Sequence, residues 1–96
     1  MRINVITVCG CGLGTSLMLL MDVQSIGKKQ GIEVRGEAVD LGTARSKSPE
    51  LFITSEEIAK KLDVEKPLVA IKNILDKKEI EDKVIPVIKE IIERRS

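Results

Sequence analysis

The stretch RINVITVCGCGLGTS, residues 2–16, decides how the rest of the chain is read. Residues 2–8 place Ile3, Val5, Ile6 and Val8 in a nearly continuous apolar run rich in β-branched side chains. A strand with one wet face would alternate; this one suits a parallel strand covered on both faces. Glycines at 10, 12 and 14 then interrupt the pattern, so residues 9–14 form a glycine-rich turn. From about residue 15 to residue 30 the spacing is helical, with Thr15 or Ser16 as N-cap oxygen and Gly31 as the stop. Strand, glycine turn and helix make the first part of a βαβ unit.

Residues 32–39 read as a second strand, followed by the polar loop DLGTARSKSP. Residues 50–54 make a third strand, and Ser55 opens a helix that ends near Leu62, with Glu56 and Glu57 where the helix dipole favours acids. Residues 67–72 make a fourth strand. Asp76 and Glu79 have the spacing of a capping box before the last helix. That helix contains Pro86, yet Ile80, Val84, Val87, Ile88 and Ile91 keep one helical phase across it, which predicts a single kinked helix. The expected fold is α/β, an open four-stranded parallel sheet with helices on both faces, forming one domain over residues 1–96. Its carboxyl-edge loops, 9–14, 40–47, 54–55 and 72–76, should converge on one crevice.

Composition narrows the function. Ile, Val and Leu fill 31 positions, enough for an aliphatic core without disulfides or metal. One phenylalanine is the only aromatic residue, which argues against stacking nucleic-acid bases. The formal net charge of +1 leaves no electrostatic footprint for nucleic acid either. There is no histidine, which removes Ser-His and Cys-His dyads and His-ligated zinc. Cys9 and Cys11 are too close in sequence to staple a fold. No stretch approaches the roughly 18–20 apolar residues that span a bilayer. The expectation is a reduced, cytoplasmic protein without direct membrane insertion, serving any membrane process by docking to a partner.

The chemistry concentrates in CGCGLGTS. Glycines let backbone N–H groups turn inward, and a helix start adds the positive end of its dipole, so Gly10, Cys11, Gly12, Leu13, Gly14, Thr15 and Ser16 form a candidate cradle for a dianion. Cys9 stands at its mouth, where a thiol is acidified and becomes a nucleophile for phosphoryl transfer. A dinucleotide fingerprint would need a third glycine where Thr15 stands. A Walker loop would need a lysine, and none occurs between Arg2 and Lys28. Two thiols alone make an incomplete zinc site, so neither metal nor cofactor is expected. A cradle that only binds an anion or a partner, without catalysis, stays open.

The low-molecular-weight tyrosine phosphatases present Cys-x5-Arg-Ser/Thr in the same strand–loop–helix setting. Here the sixth residue after Cys9 is Thr15, so the arginine that clamps phosphate is missing, and a phosphocysteine would lose part of what drives its hydrolysis. A small Cys-dependent phosphatase or arsenate reductase therefore stands as the alternative. The combination Cys9, Gly12, Thr15 and Ser16 resembles the active-site loop of the enzyme IIB components of the bacterial phosphoenolpyruvate-dependent sugar phosphotransferase system. VCGCGLGTSLMLLM, the DLG at 40–42, ITSEEIA at 53–59 and VAIKNILDKKEI at 69–80 extend the likeness along nearly the whole chain. They resemble the ascorbate-type branch, related to the lactose and galactitol types. Cys11 departs from the small residue expected there. Thr15 and Ser16 nevertheless lie at the motif's spacing from Cys9 and not from Cys11.

The resemblance implies a three-layer sandwich like that of the low-molecular-weight phosphatases. It implies a phosphotransferase relay in which phosphohistidine of an enzyme IIA passes its phosphoryl group to Cys9. Cys9 then passes it to a sugar held by a membrane-embedded enzyme IIC, which would bring this chain to the membrane peripherally. Outside the loop, Asp40, Lys72 and Asn73 are expected at the same sheet edge. Leu17, Met18 and Met21 make the first helix more apolar than one buried face requires, which marks them as extra core or as a docking surface.

Overall fold

In the computed structural model, which describes residues 1–9, 13–64 and 66–95, the opening apolar run becomes strand β1, Arg2–Cys9. Helix α1, Leu13–Lys29, leads to β2, Glu33–Asp40. The short helix α2, Leu41–Ala44, precedes β3, Leu51–Ser55, and a second short helix, α3, Glu56–Ala59, precedes β4, Leu68–Ile71. Helix α4, Lys77–Arg95, follows. The strands are parallel in the order β2-β1-β3-β4. The chain steps from β1 to one side and returns across it to the other, so the carboxyl ends of β1 and β3 flank a topological switch point.

Alternation along β1 explains the layers. Ile3, Val5 and Thr7 share one face, Ile6 and Val8 the other, and all five are buried. The first face packs under both long helices through Leu19, Val23, Ile80, Val84 and Ile88. The second face is covered by Ala44 of α2, Ile58 of α3 and Leu62, gathered around Phe52 and Val39. The expected three-layer sandwich is present, with helices on both faces, but the second helical layer is thin.

The thin layer is where expectation and structure part. The polar loop after β2 contains α2, because the Asp40 carboxylate accepts a hydrogen bond from the Thr43 amide at 2.7 Å and so caps a turn of helix. The helix expected to run from Ser55 to near Leu62 spans only Glu56–Ala59. Ser55 does cap it, accepting from the Ile58 amide at 3.3 Å. The amides of Lys61 and Leu62 then both donate to the Ile58 carbonyl, closing the helix in a tight turn that delivers Leu62 to the core.

Other terminators match their signals. At the end of α1, the Ile32 amide donates to the Gly27 carbonyl at 2.8 Å and the Gly31 amide to that of Lys28 at 3.1 Å. This is the paired Schellman pattern, and it needs the positive φ of 75° that Gly31 adopts. Helix α4 runs unbroken through Pro86, whose ring lies on the exposed side.

Asp76 caps α4 by accepting from the amides of Lys78 and Glu79. Glu79 does not complete the expected box. Its carboxylate accepts instead from the amides of Lys72 at 2.6 Å and Asn73 at 2.9 Å, just past β4, and pairs with Lys83 at 2.6 Å. The Lys83 ammonium first, then the two amides, hold Glu79 down from the usual 4.5 to about 2. A carboxylate with a depressed folded-state value stabilises the fold fully above its unfolded value and loses that contribution as pH falls toward its folded one. Glu79→Gln is thus expected to lower the thermal midpoint at neutral pH, with the gap to wild type closing between about pH 5 and pH 2. Paired melting curves across that range check this; a constant gap would contradict it.

Candidate functional site

The carboxyl edge of the sheet is where the chemistry-bearing residues meet. Cys9 is the last residue of the central strand β1, in register with Asp40 of β2. Helix α1 begins at Leu13. Of the candidate cradle, Gly10, Cys11 and Gly12 lie outside the described residues. Leu13, Gly14, Thr15 and Ser16 form the first turn of α1. That corrects the expected start: Thr15 and Ser16 stand inside the helix and neither is its N-cap. Gly14 is helical too, and a Cβ there would meet no atom within 4 Å, so packing places no demand for glycine at that position. Thr15 is exposed, whereas Ser16 is only 1% exposed.

The start of α1 differs electrostatically from those of α3 and α4, and like α2 it has no acidic residue in its first turn. Helix α3 has Glu56 and Glu57 in its first turn and α4 has Glu79, while α1 has no acidic residue there. Its last turn holds Lys28 and Lys29, which complement the negative end of the dipole. The positive end therefore faces the Cys9 edge without a carboxylate of its own first turn to offset it. Such an end favours a thiolate or a phosphate nearby.

Two residues that the sequence reading passed over secure this edge. Thr7 is fully buried, and its hydroxyl donates to the Ser16 carbonyl at 2.8 Å. Thr54 is also fully buried, and its hydroxyl donates to the Val8 carbonyl at 2.8 Å. The signal was present: each threonine follows an isoleucine and interrupts an apolar run just before its strand ends. A hydroxyl there must find an acceptor inside the protein.

The remaining edge residues have structural partners. Asp40 is occupied in capping α2, and hydrogen bonds from the Thr43 amide and then its hydroxyl hold its carboxyl below the usual range. Lys72 and Asn73 lend their amides to Glu79, and the Asn73 side chain accepts from the Leu75 amide at 3.0 Å. On α1, Leu17, Met18 and Met21 are 50%, 55% and 59% exposed, so they are not extra core. With Gly14 they occupy one helical stripe running back from the first turn.

Comparison with known proteins agrees with this layout. The model of the family described as PTS system, lactose/cellobiose-specific IIB subunit, matches residues 4–85. The ascorbate-specific PTS system EIIB component of Mycoplasma pneumoniae is 26% identical over 83 residues, spanning 82% of this chain and 87% of the relative. The solution structure of an enzyme IIB subunit of the PTS system from Escherichia coli K12 matches with a TM-score of 0.55 at 16% identity, covering 98% of this chain and 95% of that one. At that identity the structural likeness speaks for the fold. No helix among the described residues is long and apolar enough to cross a membrane. Since the matched family model takes in the thiol-bearing strand end, the start of α1 and most of the sheet, the chain belongs to the lactose/cellobiose-specific IIB subunit family and is a phosphoryl carrier of a sugar phosphotransferase system.

Proposed function

We propose that the phosphoryl group is carried on Cys9, received from phosphohistidine of an enzyme IIA and passed to a sugar held by a membrane-embedded enzyme IIC. The observation that carries this reading is the placement of Cys9 at the end of the central strand, with α1 starting at Leu13 and no carboxylate in its first turn. In the first half-reaction the Cys9 thiolate attacks phosphorus. The S–P bond forms as the N–P bond of phosphohistidine breaks, and the imidazole of the donor leaves. In the second, a sugar hydroxyl attacks the phosphocysteine. An O–P bond forms, the S–P bond breaks, the sulfur leaves as thiolate, and a base on the sugar-binding partner takes the hydroxyl proton.

Both steps are in-line displacements, in which catalysis is mostly positioning and charge stabilisation. The loop amides from Gly10 to Gly14 and the hydroxyls of Thr15 and Ser16 would hold the three equatorial oxygens. Of the two, Thr15 is exposed and Ser16 is buried. The missing histidine fits this division of labour, because the imidazole belongs to the donor. The missing arginine at position 15 fits a carrier, whose intermediate must outlast collisions with water.

The test is to incubate the chain with labelled phosphoenolpyruvate, enzyme I, the phosphocarrier protein and an ascorbate-type enzyme IIA. A stable phosphoryl adduct on the Cys9 peptide supports the relay. Steady turnover of an aryl phosphate in its place would support a phosphatase. The exposed stripe of Leu17, Met18 and Met21 is the proposed docking face for enzyme IIA or enzyme IIC, and the phosphoryl donor is the partner tested first. Met18→Asp should slow labelling by IIA about tenfold, while the melting temperature moves by no more than about 3 °C. Equal labelling rates in stopped time courses would remove enzyme IIA from that face.

A further inference from the structure

We infer that Thr7 and Thr54 are positioning residues that hold the two ends of the Cys9 loop and thereby set the acidity of its thiol. Val8 and Thr54 are register partners in β1 and β3, and the Thr54 hydroxyl crosses to the Val8 carbonyl, the peptide group that leads directly into Cys9. Thr7 lies one residue earlier on the opposite face of β1. Its hydroxyl reaches the Ser16 carbonyl in the first turn of α1. One tie fixes where the strand delivers Cys9. The other fixes where the helix start sits relative to that strand.

Neither hydroxyl has a solvent alternative, since both threonines are fully buried. Their acceptors are main-chain carbonyls, so the ties are indifferent to neighbouring side chains and constrain the backbone itself. Packing alone would be served as well by valine, which has nearly the same shape. What valine lacks is the donor. A helix dipole acts over about one turn, so its effect on a thiol falls off steeply if the helix start shifts against the strand end. Holding that geometry before any phosphate arrives keeps the thiol acidic and its amides aimed.

The inference rests on Cys9 being the reactive thiol, as proposed above, but its test does not require phosphoryl transfer. Wild type, Thr7→Val, Thr54→Val and the double variant are alkylated with iodoacetamide from about pH 5 to pH 9, and the Cys9 peptide is followed by mass spectrometry. In the double variant the midpoint of the Cys9 profile should rise by about half a pH unit or more, slowing alkylation near neutrality by roughly threefold. Thr7→Ser and Thr54→Ser, which restore the donors, should return the midpoint to the wild-type value. Each single valine variant should give a smaller rise, which provides the reading if the double variant does not fold. A lowered melting temperature with an unmoved Cys9 midpoint would overturn the inference, since the threonines would then only stabilise the fold. Valine variants with a shifted midpoint, in a wild type that enzyme IIA cannot label, would uphold this inference while removing the phosphoryl relay.

Discussion

Cys9→Ser is expected to abolish phosphoryl labelling from enzyme IIA, by roughly three orders of magnitude or more, while the fold survives. Serine differs from cysteine by little in volume, but its hydroxyl stays protonated where a thiol at a helix start ionises. Cys9 closes a strand held on both sides by β2 and β3, so the backbone there does not depend on the thiol. Cys11→Ser should still be labelled, because serine keeps the backbone N–H that the cradle uses. Intact-protein mass spectrometry after incubation with the donor chain reads both variants at once. Loss of labelling in Cys11→Ser with retention in Cys9→Ser would transfer the nucleophile to Cys11.

The second large effect concerns stability. Gly36→Ala is expected to cost about 3 kcal/mol, lowering the melting temperature by more than about 10 °C. Gly36 is the register partner of Val5, and a Cβ at this position would overlap the Val5 carbonyl oxygen and lie 2.8 Å from its carbon. Both atoms belong to the backbone of the central strand and have no rotamer by which to give way. Accommodating the methyl group means moving β2 off β1, where their ladder runs from Arg2 with Glu33 to Cys9 with Asp40. Gly42→Ala is the control, since its Cβ would meet only the Asp40 carboxylate at an ordinary 3.7 Å. Equal melting temperatures for the two variants would show that the strand pair relaxes without cost.

What the sequence revealed follows from how each signal arises. The parallel sheet was legible because the double-sided burial of β1 demands consecutive apolar residues, and Ile3, Val5, Ile6 and Val8 supply them. The end of α1 was legible because only glycine adopts the φ of Gly31 without strain. Both are local demands on residue type. The helix start at Leu13 was hidden because three glycines in alternation read as one continuous turn, although Gly14 stands in ordinary helical backbone. Helix α2 was hidden because four residues are too few to show a period, and only the Asp40–Thr43 spacing marks it.

The site divides along the same line. Cys9 and the glycine run stand out in the sequence as candidates, since the chemistry proposed for them rests on residue type and spacing. Thr7 and Thr54 do not, because their partners are carbonyls that the fold brings close from distant points in the sequence. Thr54 and Val8 are separated by 46 positions. Glu79 shows the same limit. The spacing from Asp76 predicts a partner within α4, and the structure sends the carboxylate to the amides beyond β4. In each case the sequence shows that a polar group needs a partner, and tertiary structure decides which one.

As proposed, this IIB subunit carries phosphate on Cys9 as a persistent intermediate. The most direct measurement is peptide mapping of the wild-type chain after phosphorylation by enzyme IIA, followed by the decay of the adduct once the donor is removed. The expected result is one phosphoryl group per chain, located on Cys9, stable for as long as no sugar-loaded enzyme IIC is present and discharged when it is added. A phosphoryl group found on another residue, or an adduct on Cys9 lost to water at the same rate with and without enzyme IIC, would contradict it.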